Sequence, residues 1–341
     1  MRHPTGVPRR LVVGFAIAAG LWIGVFIYAL LLLPRIALGD FITYHAGVLR
    51  LLAGQPLYAT FQLAGPYSLG DAAFGQGYVY PPSAAILSAP LGLMPLELAS
   101  LTFSVLSALA LASVVYLIPR RDGASRTAAA AITLLVVGSG PGVWSIGTGN
   151  INTLVAAAIG MMWLAPRSAG YLAAVGALVK LYPGMGIVWV VRKRGGLAGP
   201  TAVGAIGFAA CLVAVGVAPW LQFVSALALG RGSALFVPAP RSLLTAFVGD
   251  SAAQIAVVLL TLLALVAVIR IRDDRRALAM LSVAVILPAP EWFAHLALVP
   301  MVGVLPLLVR MAIQAAPGVV LDQGVIATQS PARSIPQSNR R

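Results

Sequence analysis

The sequence predicts an all-α protein, a polytopic bundle of helices that crosses a membrane many times. Of its 341 residues, 60% are hydrophobic and only 9% are charged, whereas a soluble globular protein carries about 25% charged residues. The apolar stretches are long and lack the alternating pattern of membrane β-strands. Because backbone polar groups in lipid must pair within the chain, we expect helical spans rather than open sheets.

The basic residues mark the sides of the membrane. The formal net charge is +14, and the arginines and lysines cluster between apolar runs, notably in 1–10, 192–194 and 270–276. This distribution is typical of cytoplasmic loops, where basic residues also attract anionic lipids. We therefore expect membrane lipids as partners and no nucleic acid. The single Cys211 excludes a disulfide framework within the chain and a thiolate metal site.

The N-terminal part predicts one span followed by an outer loop. Residues 1–10 form a short basic tail, and the apolar residues 11–33 are long enough to cross a bilayer core of about 30 Å. Residues 34–80 contain few charges and are predicted to be the first outer loop. Within this loop, residues 40–53 predict an amphipathic helix on the membrane surface. Its apolar face comprises Phe41, His45, Val48 and Leu52.

Together with the first span, nine further apolar runs predict about ten crossings within a membrane domain over 11–310. These runs are 78–95, 96–118, 127–144, 150–165, 170–191, 197–218, 251–269, 277–289 and 295–310. Ten crossings place 192–194 and 270–276 on the cytoplasmic side, but they place the basic segment 119–126 outside, against the positive-inside rule. A re-entrant 78–95 would reverse the side of 119–126. Residues 311–341 are rich in polar residues and proline, and predict a disordered tail.

Asp40 is one of nine acidic residues and follows the first span. Inserting a carboxylate at membrane depth costs about 2.5–3.5 kcal/mol of free energy, so we expect Asp40 to have a specific role. One interpretation is a general base that removes a proton from a hydroxyl within hydrogen-bond reach. The other is a helix N-cap that accepts from the amides of 41–43. The local pattern does not separate the two.

Two further stretches carry polar groups at the predicted membrane surface. Tyr78 and Tyr80 precede Pro81-Pro82, and their rings suit stacking on sugars, although tyrosines also form the aromatic belt of membrane proteins. Asn150 follows Gly149, and its side chain fits either a headgroup contact or the cap of the next helix.

Lys180 and the segment 290–295 are the last candidates. Lys180 lies about 18 Å along a regular helix from 192–194. A lysine this deep in the membrane needs an anionic partner. That anion is either a lipid phosphate or a carboxylate in a structural ion pair. Glu291, Trp292 and His295 suit a substrate site or anchoring at the interface. With three histidines in the chain, we expect no metal site.

Taken in order, these stretches resemble glycosyltransferase family 87, whose members are multi-span mannosyltransferases of the GT-C class. The matching residues are Asp40-Phe41 with Tyr44, Leu52, Gly54 and Leu57-Tyr58, Tyr80-Pro81-Pro82 with Pro90-Leu91, Gly149-Asn150, Lys180 with Pro183, and Trp292 with His295 and Pro300. The chain departs from the family pattern at Gly149, where glutamine is common. It also departs at Pro240-Arg241, in place of Asn-Gln, and at Ala294, where a second histidine is usual.

The resemblance implies a bundle of the GT-C type and a specific chemistry. A sugar, most simply mannose, would pass from a polyprenyl-phosphate donor to a lipid or glycan acceptor at the outer face of the cytoplasmic membrane. The reaction would invert the anomeric centre and need no cofactor. Asp40 would be the general base. Lys180 and Arg241 would bind the donor phosphate. The predicted substrate-binding residues are Tyr44, His45, Tyr80, Asn150, Trp292 and His295.

Two other classes of protein compete with this interpretation. A transporter of polyprenol-linked glycans or lipids would have the same composition, but transporters place charges along a path through the membrane. Here the candidate polar residues gather mainly at one predicted face. In a membrane scaffold without catalytic activity, Asp40 would have no role beyond capping a helix.

Overall fold

The computed structural model describes residues 39–68, 77–231, 240–289 and 294–315. Within these ranges the secondary structure is helical apart from two two-residue strands, Tyr67–Ser68 and Gly230–Arg231, which pair in parallel. The predicted all-α class is therefore confirmed for this part of the chain. The predictions of a basic tail, a first span and a disordered C-terminal tail fall on residues outside these ranges, apart from the start of the tail at 311–315, which is helical.

The helix predicted over 40–53 is observed as α1, Gly39–Leu52. Its buried face includes Phe41, His45 and Val48 as expected, whereas Leu52 is exposed. A short helix, α2 (Thr60–Ala64), follows. Residues 78–95 then form two short helices, α3 (Pro82–Leu87) and α4 (Ala89–Gly92), which pack against α1. Neither approaches the roughly 20 residues needed to cross a membrane, so 78–95 does not form a spanning helix.

Twelve further helices complete the described chain. They are α5 (Leu96–Arg121), α6 (Arg126–Val137), α7 (Gly140–Gly147), α8 (Asn152–Leu164), α9 (Ala169–Val179), α10 (Ile187–Arg192), α11 (Ala198–Val215), α12 (Ala218–Leu229), α13 (Pro240–Val248), α14 (Asp250–Arg270), α15 (Asp274–Ala284) and α16 (Leu298–Ala315). Short 3₁₀ turns at Pro166–Ser168, Tyr182–Gly186 and Ala294–Ala297 precede α9, α10 and α16.

Four helical segments of the described ranges are long and apolar enough to cross a membrane: α5, α11, α14 and His295–Gln314. Helices α6 and α7 make a fifth if the pair, bent by 62°, counts as one span. The ten-crossing count is therefore not confirmed. Ser139 explains the bend, because its side chain accepts from the amide of Gly142 and starts a new helix.

Three basic segments meet at one end of the bundle. Arg275 pairs with Asp122 at 3.3 Å, and Arg192 pairs with Asp274 at 2.7 Å. Segments 119–126, 192–194 and 270–276 therefore lie together, and we call this the basic end. The expectation that 119–126 lies on the opposite side is wrong, because 78–95 does not supply the crossing on which it depended. That the basic end faces the cytoplasm stays a prediction from the positive-inside rule.

The predicted span 170–191 also turns back instead of crossing. Arg121 donates to the carbonyl of Leu164 at 3.0 Å, so the chain is at the basic end just before α9. It is at the basic end again at Arg192. Lys180, between these points, leaves the helix with an extended backbone, and Pro183 follows it. Proline lacks the amide hydrogen that a continuous helix needs there.

Arg192 holds the basic end together. Its side chain is 8% exposed, and its guanidinium donates to Asp274 and to carbonyls at the end of α14, including Val268 at 3.0 Å. We expect Arg192→Met to lower the free energy of unfolding by about 2 kcal/mol, because several charged hydrogen bonds are lost. Lys193→Met removes a 31% exposed partner of the same Asp274 and should cost under about 1 kcal/mol. Thermal unfolding in detergent measures both, and equal shifts would contradict the expectation.

Candidate active site

Asp40 lies at the centre of a polar cluster built from remote parts of the chain. The side-chain amide of Asn150, in the loop between α7 and α8, donates to Asp40 Oδ2 at 2.9 Å. The same nitrogen lies 3.3 Å from Nε2 of His295, in the turn before α16. The amide of Phe41 donates to the carbonyl of Thr148. The Asp40 carboxylate thus pairs with Asn150, and no hydrogen bond among the described residues supports the N-cap interpretation.

Gly149 allows this loop to approach α1. Its φ of +67° lies in the left-handed region, which side chains with a Cβ adopt with strain. A Cβ at this position would also lie 2.6 Å from the Cβ of Phe41. The position at which the chain departs from the family pattern, Gly149, is therefore one where the loop packs closely against α1.

The Gly149→Ala variant should unfold at a distinctly lower temperature than the wild type. The left-handed backbone alone costs about 1–3 kcal/mol for a residue other than glycine, and the contact with Phe41 adds to it. Gly54→Ala is the matched control, because Gly54 has φ +63° and open space around its Cβ position. We expect the Gly149 variant to lose more stability than the Gly54 variant. Equal losses in thermal unfolding would show that the contact with Phe41 is unimportant.

Hydrogen bonds of tyrosine hydroxyls connect the loop between α7 and α8 with residues 78–82. Tyr44 donates to the hydroxyl of Tyr80 at 2.9 Å and accepts from the amide of Ile151 at 3.2 Å. Tyr58 donates to the carbonyl of Tyr80 at 2.7 Å. Burial raises the pKa of the Tyr58 phenol, so it remains a protonated donor. Tyr80 is therefore held by bonds on both sides, and its ring is buried instead of lying at an open surface.

Lys180 faces this cluster from the break after α9. Its Nζ lies 5.4 Å from the ring centroid of Tyr80 and 5.0 Å from that of Tyr182, within the range of cation–π attraction. It donates to Asn152 Oδ1 at 3.2 Å. Lys180 takes part in none of the ion pairs in the described part of the chain. The alternative of a structural ion pair for Lys180 is therefore not observed among these residues.

The cluster lies far from the basic end. Helix α8 rises about 18 Å from Asn152 in the cluster to Leu164 at the basic end. Helix α5 rises about 27 Å from Phe103, whose ring centroid is 5.4 Å from that of Phe41, to Arg121. Measured from the basic end, these distances exceed half the thickness of a bilayer core of about 30 Å.

A narrow apolar cavity adjoins the cluster, lined in part by Tyr44, His45, Tyr80 and Phe103. His45 thus lines a cavity beside the cluster. Its Nε2 lies 3.2 Å from the carbonyl of Met94, and no hydrogen bond joins it to Asp40 within the described ranges. Within the described ranges, no three side chains of the His, Cys, Asp and Glu types are grouped as a metal site requires.

The structure brings together six residues that the sequence singled out: Asp40, Tyr44, Tyr80, Asn150, Lys180 and His295. Arg241 is not among them. Its guanidinium pairs with both carboxylate oxygens of Asp250, at 2.8 and 2.9 Å. Trp292 and its neighbour Glu291 lie outside the described residues, so the predicted roles of Trp292 and Arg241 stay predictions.

Sequence reasoning missed Asn152 and Tyr182. Asn152 is fully buried, and its Oδ1 accepts from both Lys180 and Tyr182. Its Nδ2 has no hydrogen-bond partner among the described residues. The available signal was a second asparagine at the start of an apolar run, since polar residues there need partners.

Comparison with known proteins identifies one family. The sequence model of glycosyltransferase family 87 matches residues 78–293, more than half of the chain. No curated protein and no solved structure matches. The matched range contains Tyr80, Asn150 and Lys180, whereas Asp40 lies before it and His295 just after it.

Proposed function

Because this chain belongs to glycosyltransferase family 87, and is thus a membrane glycosyltransferase, we propose that it transfers mannose from a polyprenyl-phosphate donor to a lipid or glycan acceptor. The observation that carries the proposal is the continuous hydrogen-bonded path from Asp40 to Lys180. It passes through Asn150, whose Oδ1 accepts from the amide of Asn152 at 2.8 Å, and through the side chain of Asn152. One network thereby holds a carboxylate and an ammonium group.

Asp40 is the general base in this proposal. Its carboxylate takes the proton of the acceptor hydroxyl while the oxygen of that hydroxyl bonds to the anomeric carbon. The bond from the anomeric carbon to the phosphate oxygen breaks, and its electron pair leaves with the polyprenyl phosphate. Displacement from the opposite face inverts the anomeric centre, so a β-linked donor gives an α-mannoside.

Lys180 stabilises the leaving group. A sugar phosphodiester carries one negative charge, and its departure as a phosphate monoester increases the charge on the oxygens near Nζ. A fixed ammonium group in a water-poor site stabilises such developing charge strongly. One lysine also suits a singly charged donor better than a pyrophosphate or nucleotide, which would bring more negative charge. Arg241 could add a second cation only by leaving Asp250.

Depth and charge support an outward-facing site in the cytoplasmic membrane. If the basic end faces the cytoplasm, the cluster around Asp40 lies in the outer half of the bilayer. There a donor with a polyprenyl tail can reach Lys180 from within the lipid. A transporter would place its polar residues along a route across the membrane. Here Asp40, Asn150, Lys180 and His295 converge in one cluster, which disfavours the alternative of a transporter.

The identity of the sugar donor is tested by measuring the sugar transfer that the purified protein catalyses in lipid nanodiscs. Radiolabelled polyprenyl-phosphate mannose is supplied with a membrane lipid extract, beside polyprenyl-phosphate glucose, polyprenyl-pyrophosphate mannose and GDP-mannose. We expect label to move to lipid or glycan from the phosphate-linked mannose alone, giving an α-linked product. Preference for the nucleotide or pyrophosphate donor would reject the role of Lys180, and faster transfer of glucose would reject mannose.

A further inference from the structure

Asn150 uses both ends of its side chain. Its Oδ1 accepts from the amide of Asn152, and its Nδ2 faces Asp40 Oδ2 at 2.9 Å and His295 Nε2 at 3.3 Å. The side chain is buried, with 2% of its surface exposed. A primary amide has two N–H donors on nitrogen and acceptor positions on oxygen. The backbone amide at 152 therefore fixes the orientation of the Asn150 amide, and its two hydrogens match the two neighbours.

This arrangement fixes the proton on His295. The nitrogen of an amide side chain donates and does not accept. Nε2 of His295 must therefore present its lone pair to Asn150, which places the ring proton on Nδ1 and leaves the imidazole neutral. A protonated imidazolium would instead direct an N–H group at the N–H groups of the Asn150 amide, and two donors cannot form a hydrogen bond with each other.

The same amide distinguishes the two oxygens of Asp40. Oδ2 is engaged by Asn150, while Oδ1 makes no hydrogen bond with any residue in the described part of the chain. Asp40 is half-buried. The titratable groups that surround it are Lys180, His295, Tyr44 and Tyr80, each of which interacts electrostatically with its carboxylate.

We propose that Asn150 is a positioning residue for sugar transfer, whose single amide nitrogen holds Asp40 and His295 in place and leaves Asp40 Oδ1 to take the acceptor proton. This inference rests on the proposed function. It assigns Asn150 a role different from direct contact with the sugar. Its effect should therefore appear in the chemical step more than in donor binding.

Kinetics separate positioning from substrate binding. Asn150→Asp keeps the shape of the side chain and an acceptor for the amide of Asn152, but removes the donors to Asp40 and His295. We expect kcat to fall about 100-fold, as a small misplacement of a reacting group can cause, with the donor KM within about threefold of wild type. Asn150→Ala should behave alike, and Gln254→Ala, which removes an exposed amide from α14, should match wild type.

The pH profile gives a second kinetic readout. Two adjacent carboxylates cannot ionise together as easily as one. The acidic limb of kcat for Asn150→Asp should therefore move to higher pH, whereas that of Asn150→Ala should not move in this way. A rise in the donor KM with unchanged kcat in both variants would reject positioning and return Asn150 to substrate binding.

Nitrogen NMR of ¹⁵N-histidine-labelled protein tests the arrangement without any turnover. We expect His295 Nε2 to be unprotonated in the wild type, with the signal assigned by its loss in His295→Gln, and to become partly protonated in Asn150→Ala. A protonated Nε2 in the wild type would overturn the inference. If wild type transfers no sugar, the proposed function fails while this spectrum still decides the role of Asn150. If wild type transfers and Asn150→Asp retains its kcat, the positioning role alone fails.

Discussion

Replacing Asp40 with asparagine is expected to slow sugar transfer by about 100- to 10,000-fold, the range that a positioned general base contributes. Asparagine has the same shape, and its oxygen can still accept from Asn150, so the fold around the cluster should persist. What is lost is the basic oxygen that takes the acceptor proton. The measurement is the initial rate of label transfer at saturating donor in nanodiscs.

Glu97→Gln is the matched control for this loss. Glu97 is an exposed carboxylate in the first turn of α5, and the substitution removes the same charge. It should leave the rate unchanged. A rate for Asp40→Asn within about threefold of wild type would reject Asp40 as the base, since even a weak general base contributes about 100-fold.

Replacing Lys180 with methionine is expected to lower kcat/KM for the donor by about 100- to 1,000-fold, as does the loss of one preorganised group that stabilises developing charge. Methionine keeps much of the length and the apolar contacts with Tyr80 and Tyr182, but carries no charge. The variant should also lose inhibition by free polyprenyl phosphate, because the product and the donor share the phosphate.

The control for Lys180→Met is Lys193→Met, which changes the only other lysine in the chain. Lys193 lies at the basic end in an ion pair with Asp274, far from the cluster. Its substitution should lower stability slightly and leave kcat/KM unchanged. Equal effects from the two lysine variants would mean that general loss of charge, and not the site of Lys180, causes the defect.

Much of the cluster could be predicted from sequence because polar residues are scarce in this chain. Asp40, Asn150, Lys180 and His295 each lie beside or within apolar runs, where an unpartnered polar group is costly. Such groups reduce the cost by meeting one another, and the structure shows these four in one network. Arg241 did not join them, because an acidic partner, Asp250, is available nine residues along the chain.

The course of the helices was harder to predict. A hydropathy pattern averages over a window and does not register a single residue that ends a helix. Ser139 divides 127–144 by capping a new helix, and Lys180 with Pro183 turns 170–191 back. Both runs are apolar enough to be read as continuous spans. The contact between segments 119–126 and 270–276, seen in the ion pair of Asp122 with Arg275, likewise joins parts of the chain that are far apart in sequence.

Side-chain orientation was the other gap. The glycine and asparagine residues at 149–152 predict a polar turn, but not that Asn150 faces Asp40 and His295 while Asn152 faces Lys180. That division follows from the left-handed backbone of Gly149 and the close approach of Phe41. It arises from tertiary packing between segments that are distant in sequence.

The central claim is that sugar transfer takes place between Asp40 and Lys180. Its most direct test is an electron cryomicroscopy map of the Asp40→Asn variant in nanodiscs with polyprenyl-phosphate mannose, which this variant should retain uncleaved. We expect the phosphate within about 3 Å of Lys180 Nζ, with the anomeric carbon facing the side chain at position 40. Donor density elsewhere, or a sugar more than about 10 Å from position 40, would contradict the claim, because a general base acts directly or through one water.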